Sequence, residues 1–272
     1  MTAGTAPAGA GLAGVASTRR LAWAVADTWA IAGRNLRTIV RLPQLLVFST
    51  VQPVIFVLLF RYAFGGAIRT PGVDYVDYLM PGIFAQTVSF GAMGTGIGLA
   101  DDLTKGLIER FRSLPMARSA VLSGRIVSDL VRNVFVVLLM CLVGTLVGFR
   151  IHTNPAAFVA GLGVLLLFGC SLSVIFALIG LSVRSAESAQ AAGFPMLAPL
   201  VFASSAFVPV DTMPGWLQVV AEHQPLSVTV DAVRALALGG PTTSAVVQSL
   251  AWTVGIVAVF GPLAVRRFRR AA

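Results

Sequence analysis

Six blocks of this chain stay apolar long enough to cross a bilayer as a helix, which takes about 20 residues. They run roughly over 43–64, 79–100, 126–149, 157–183, 189–208 and 244–265. The third begins polar and becomes uniformly apolar only near Val134. The fifth carries Pro195 and Pro199, so a kink is expected where their missing N–H groups break the helical ladder. An even number of spans puts both ends of the chain on one side. The pattern predicts an all-α, polytopic membrane protein with a six-helix transmembrane domain over 43–265 and a basic cytoplasmic tail over 266–272.

Three stretches depart from the apolar blocks. Residues 19–42 mix Trp23, Trp29, Ile31 and Leu36 with Arg34, Arg37 and Arg41 at helical spacing. They predict an amphipathic helix lying in the cytoplasmic interface, tryptophans among the headgroups and arginines toward phosphate; an ordinary anchor flanking the first span is the simpler alternative. The 101–125 region is short and charged, and the 209–241 region is rich in proline and glycine. Residues 1–18 have no positive charge before their weakly apolar run, so they lack the start of a secretory signal and are expected to be a disordered cytoplasmic tail.

Composition agrees with the pattern: 57% of the 272 residues are hydrophobic and 11% charged, against roughly 25% charged in soluble proteins. Charge placement then orients the spans. The N-terminal segment, the 101–132 region, Arg184 and the C-terminal tail hold sixteen basic and six acidic residues. The other three loops hold four basic and five acidic residues, so the first set is cytoplasmic and both termini lie inside. The basic excess therefore reflects topology, and no soluble basic module is present that would bind nucleic acid.

The chemistry the sequence lacks is as informative. A nucleotide-hydrolysing P-loop needs Gly-Lys-Ser/Thr, but Lys105, the one lysine, is followed by Gly106 and Leu107. A proton-coupled carrier keeps an ionisable relay within the bilayer, and Asp129 is the deepest acid, about one turn into the third span. Arg125, Asp129 and Arg132 share a helical face, which predicts mutual pairing at the cytoplasmic mouth, with a proton relay as the alternative. His152 and His223 fall in separate outer loops, no hydrolase or metalloprotease motif occurs, and Cys141 and Cys170 are not spaced as metal ligands. No cofactor or metal is expected in this chain. The second span holds Gly82, Gly91, Gly94, Gly96 and Gly98, with Gly94 and Gly98 in GxxxG spacing, which predicts close helix packing, either within the chain or on a dimer or substrate-pathway face.

The charged inner region can now be read. From Thr104 to Leu114, Leu107, Ile108, Phe111 and Leu114 share one helical face, with Glu109, Arg110 and Arg112 directed away from it. Pro115 ends that helix, and Ser119 is placed to cap the next one. A short helix with an exposed charged side suits contact with another protein. Outside, Pro214 suits a first helical turn, Trp216 an interface, Pro225 a break and Gly239–Gly240 a helix end, predicting a re-entrant or interfacial helical hairpin. Arg234 follows Asp231 by one turn, so pairing between them is the plain role, with substrate contact as the alternative.

These two stretches resemble type-2 ABC exporter permeases. Gly106, Glu109, Leu114, Pro115 and Arg118 occupy the places of that family's coupling helix, and the Arg-Phe-Arg run at Arg110, Phe111 and Arg112 is similar to the daunorubicin/doxorubicin-resistance branch. Pro209, Pro214, Trp216, Leu217, Pro225, Arg234 and Gly239 fit the family's outer segment. The resemblance implies a permease subunit in a bacterial plasma membrane, working as a dimer with a second copy or a sister permease. It also implies a separate ABC ATPase, which would hold ATP and magnesium, and outward transport of an amphipathic drug, antibiotic or lipid. An ATP-independent carrier of hydrophobic compounds is the alternative function.

Overall fold

The computed structural model describes residues 26–37, 43–68, 70, 72–107 and 118–271. Among these residues the elements are nearly all helical: α1 (26–37), α2 (Pro43–Leu58), α3 (Tyr75–Thr104), α4 (Arg118–Val147), α5 (Pro155–Gly180), α6 (Ala186–Phe202), α7 (Gly215–His223), α8 (Pro225–Leu238) and α9 (Thr242–Ala271). A six-residue π-helical turn, Leu59–Phe64, extends α2.

Four of the six expected spans form helices long and apolar enough to cross a membrane: Tyr75–Thr104, Leu122–Val147, Pro155–Gly180 and Thr242–Arg270. This is a polytopic, multi-pass membrane protein. The first and fifth expected spans are shorter. α2 reaches membrane length only together with its π-helical extension, and the apolar stretch there is Thr50–Phe64. α6 runs through both Pro195 and Pro199 and stops at Phe202, six residues before the expected end, where the chain turns into irregular backbone.

Local signals set the helix starts. Asn154 accepts a hydrogen bond from the Ala157 N–H at 2.7 Å, ahead of Pro155 in the first turn of α5. Ser185 accepts from Ser188 N–H at 3.1 Å at the start of α6. α4 is already helical at Arg118, so Ser119, the expected cap, lies inside the first turn.

α3 is the central post. It packs most extensively on α5 and also on α4, α6 and α8. Phe84, Leu79, Met80 and Ile83 of α3 close the core with Phe168, Leu172 and Phe176 of α5 and Phe149 after α4. Glycine makes the closest approach possible. A Cβ on Gly180 would strike the Gly96 backbone, and one on Gly96 would lie 2.5 Å from the Phe176 carbonyl oxygen. Gly180→Ala therefore forces two backbones apart and is expected to cost about 1–3 kcal/mol. Gly163→Ala, with nothing within 4 Å of its new methyl, is the control and should not destabilise. Thermal unfolding of both variants in lipid nanodiscs checks the difference.

Candidate functional site

The C-terminal end of α3 carries the first half of the charged 101–125 region. Thr104 donates to the carbonyls of Ala100 and Asp101 and closes α3, so it belongs to that helix and not to the start of the next. Lys105 reaches Asp101 at 2.6 Å, and this hydrogen bond holds the ammonium above the usual lysine range. Gly106 then takes φ +64°, a left-handed turn that glycine tolerates, and helix reappears at Leu107. Thr104 to Gly106 thus do not form the start of the expected short helix, and its remainder from Ile108 lies outside the described residues. Glu109, Arg110, Phe111, Arg112, Leu114 and Pro115 lie outside the described residues, and Arg118 opens α4.

A buried ionic network ties the two helices that flank this region. Asp129 of α4 is 2% exposed and lies 3.6 Å from Arg125 and 3.3 Å from Arg132, as the shared face predicted. Other helices supply the rest. Thr95 of α3 donates to Asp129 at 2.5 Å, and Asp102 of α3 lies 3.7 Å from both Arg125 and Arg34 of α1. α1 also docks against the N-terminal half of α4: Thr28 meets Ser123 at 2.9 Å, Asn35 donates to Ser128 at 3.4 Å, and Ile31 covers Gly124. Arg34 thereby faces a carboxylate of its own chain, while Trp29 stays exposed. Trp23 and Arg41 lie outside the described residues.

The GxxxG pair packs within the chain, against arginine side chains of α4. Gly94 and Gly98 hold guanidinium groups: Arg125 donates to the Gly94 carbonyl at 3.2 Å and Arg132 to the Gly91 carbonyl at 2.5 Å. A Cβ on Gly98 would collide with Arg125, and one on Gly94 would lie 3.0 Å from Arg132. The bare helix surface lets two arginines lie flat against α3, reaching its carbonyls and their carboxylates together.

The opposite end of the bundle has its own lock. α7 and α8 form the expected pair of short helices, joined at Gln224 with Pro225 in the first turn of α8. Arg234 of α8 reaches Asp231 at 2.7 Å, the pairing expected from sequence. It also donates to the carbonyls of Ser205 at 2.8 Å and Tyr78 at 3.2 Å, and its guanidinium lies 3.7 Å from the Tyr78 ring centre. Asp231 accepts from Ser205 at 2.9 Å, and Gln224 donates to the Ala203 carbonyl. The irregular backbone after α6 is thus satisfied by α8, as irregular backbone within a membrane protein must be. Pro209 opens a short turn, Val210–Thr212, and Pro214 stands immediately before α7, whose Trp216 is exposed. Gly239 and Gly240, with φ of +99° and +123°, end α8. Asp77 at the start of α3 accepts from Arg150 N–H at 2.8 Å and lies 3.7 Å from His152, which gives that histidine a structural partner.

A long central α3 thus carries an ionic clasp at its charged C-terminal end and a short-helix pair at the other. The model of the ABC-2 type transporter family matches residues 26–238. The chain belongs to that family. It is similar to the daunorubicin resistance ABC transporter permease protein DrrB1 of Streptomyces coeruleorubidus, 35% identical over 248 residues that cover 91% of this chain and 88% of the relative. It is also similar to the doxorubicin resistance ABC transporter permease protein DrrB of Mycobacterium tuberculosis, 31% identical over 224 residues, 76% of this chain and 74% of that one. The protein is an ABC-2 permease of the daunorubicin/doxorubicin-resistance branch, the membrane component of an ABC exporter. An ABC ATPase partner follows from the family.

Sequence reasoning missed Asp102, Arg34 and Thr95 as members of the inner network. The adjacent pair Asp101–Asp102 at the foot of a glycine-rich apolar helix was the available signal.

Proposed function

We propose that this permease moves an amphipathic drug, antibiotic or lipid from the cytoplasm outward as one half of a dimer. Its mate is a second copy or a sister permease, and two ATPase subunits dock on the inner face. The docking surface is the 101–125 region, with Gly106, Glu109, Arg110, Phe111, Arg112, Leu114, Pro115 and Arg118 in it. The outer segment with Pro209, Pro214, Trp216, Pro225 and Arg234 closes the far side.

The observation that carries this reading is the network of Asp102, Arg125, Asp129 and Thr95. α3 and α4 flank the docking region on either side and are clasped to each other, so a push from below moves them together. The test is reconstitution into liposomes. The chain alone should show no ATP hydrolysis, and cargo transport should appear only with the ATPase and ATP. Hydrolysis by a rigorously pure permease, abolished by a mutation in this chain, would overturn it.

The orientation belongs to the same proposal: six spans in a bacterial plasma membrane, the 65–78, 150–156 and 209–241 segments outside, both termini and the 184–188 loop inside. It rests on the split of sixteen basic and six acidic residues against four and five. After Cys141 and Cys170 are replaced by alanine, cysteines placed at Thr70 or Thr242 should react with impermeant maleimide in intact cells. Labelling at Ser185 instead would reverse the assignment.

A further inference from the structure

A cavity of about 180 Å³ lies within this one chain, halfway along α3, where α2, α3 and α4 meet. Pro53 comes from α2, Gln86, Phe90 and Met93 from α3, and Arg132 and Asn133 from α4. Gln86 is 2% exposed, and its side-chain oxygen is buried without a hydrogen-bond partner. Asn133, 5% exposed, faces it from α4 and makes no hydrogen bond to any described residue. Its amide leans against Gly91, where a Cβ would collide with it. Thr87, also on the wall, is already served by the Ile83 carbonyl at 2.7 Å.

Leaving a buried amide unpaired is costly, and nine in ten or more buried polar groups find a partner. The orphaned Gln86 oxygen, with the Asn133 amide on the wall of the same cavity, therefore points to something that occupies it. Each carries a donor side and an acceptor side, and the two sides are exchanged by a flip. As it stands, the Gln86 oxygen is satisfied by an occupant that donates, while Asn133 can either accept or donate. Phe90 offers a ring face beside them, itself 6.2 Å from the Phe194 ring of α6. Arg132 adds positive charge to the wall, although two of its nitrogens are engaged by Asp129 and the Gly91 carbonyl. A cationic group would be repelled there. The volume is below the roughly 300–1,000 Å³ of drug-sized sites, so it admits one or two fused rings and not a large molecule whole. Gln52, exposed on α2, marks the mouth.

We infer that this cavity is a binding site for an uncharged ring system bearing hydroxyl or carbonyl groups, held between Gln86 and Asn133 and stacked on Phe90. That such a ring is part of the exported cargo rests on the export reading; the site itself does not. A few ordered waters, each needing two to four polar partners, are the competing occupant.

The test uses the full-length permease in lipid nanodiscs, without ATPase or nucleotide, and with empty nanodiscs subtracted. The probes are fluorescent 1,5-dihydroxynaphthalene and its apolar counterpart naphthalene. The diol should bind saturably, and Gln86→Leu and Asn133→Leu should each weaken it by about tenfold, a typical loss for one buried hydrogen bond. Naphthalene should bind these variants as well as or better than the wild type. Val136→Trp, which fills the cavity from α4, should remove both signals while monodispersity and Tm report that the protein folds. Equal diol titrations for wild type, Gln86→Leu and Val136→Trp would mean a hydrated void or lipid partitioning only, and would overturn the inference. Because no ATPase is present, that failure leaves the export proposal standing. Intact binding without ATP-driven transport by the full complex would instead count against export.

Discussion

Asp129→Ala is expected to destabilise the permease by about 3 kcal/mol and to lower its abundance in the membrane. Breaking a buried ion pair by removing one partner costs about 3–5 kcal/mol, because the remaining charge stays buried. Here the loss leaves Arg125 and Arg132, 19% and 17% exposed, without their shared carboxylate. The lower end applies because Arg125 keeps Asp102 and the Gly94 carbonyl, and Arg132 keeps the Gly91 carbonyl. Asp129→Asn retains the volume and the bond from Thr95, so it should fall between the two. Val131→Ala, exposed on the other side of the same turn, should stay within about 0.5 kcal/mol. Thermal unfolding in nanodiscs and quantitative blotting of membranes check the series. An Asp129→Ala protein as stable as Val131→Ala would mean that the network does not hold α3 to α4.

Glu109→Ala and Arg112→Glu should leave the permease folded and inserted but uncouple it from the ATPase. Both fall on the charged side of the helical pattern over 107–114, where a change usually stays within about 0.5 kcal/mol of stability. Truncating a charged contact in an interface costs about 2–5 kcal/mol when its partner is buried, a loss of roughly 30-fold or more in association. The measurements are co-purification of the ATPase and cargo-stimulated hydrolysis, at normal membrane abundance. Phe111→Ala separates two roles for the apolar side: lowered abundance means that Phe111 anchors the helix to its own chain, and normal abundance with a lost ATPase means that it fills a partner groove. If several charge reversals across 109–112 leave export and co-purification unchanged, the segment is a passive solvated loop.

What was legible in the sequence followed from how local each interaction is. Arg125, Asp129 and Arg132 lie on one helix, so their spacing alone predicted the pairing that forms. Asp102, Arg34 and Thr95 join from α3 and α1, and no periodicity reports which helices will meet. The glycines of α3 make the same point from the other side. Of the five glycines expected on its packing face, Gly96 makes a close backbone contact, but its partner Gly180 lies on α5 and no spacing reports it, while Gly94 and Gly98 seat arginine side chains of α4. The pair of short helices α7 and α8 was readable because Pro225 and Gly239 act on their own backbone. The early end of α6 was not, because what stabilises irregular backbone after Phe202 is a set of donors from α8 and α3: Arg234, Gln224, and the hydroxyls of Tyr75 and Tyr78. Gln86 and Asn133 passed unnoticed in the sequence because a single amide in an apolar span carries no pattern.

The central place of α3 has a consequence for how the protein is made. α3 is the least apolar of the four membrane-length helices and the most buried. Glycines, Gln86, Thr87 and Thr95 interrupt its apolar surface. Such a helix gains little from contact with lipid tails and much from contact with a neighbouring backbone. Its principal cover is α5, the most apolar of the four, which leaves the ribosome only after α4 and the loop to Pro155 have been synthesised. During translation α3 is therefore expected to be held at the insertion machinery until α5, which begins some fifty residues later, is available to cover it.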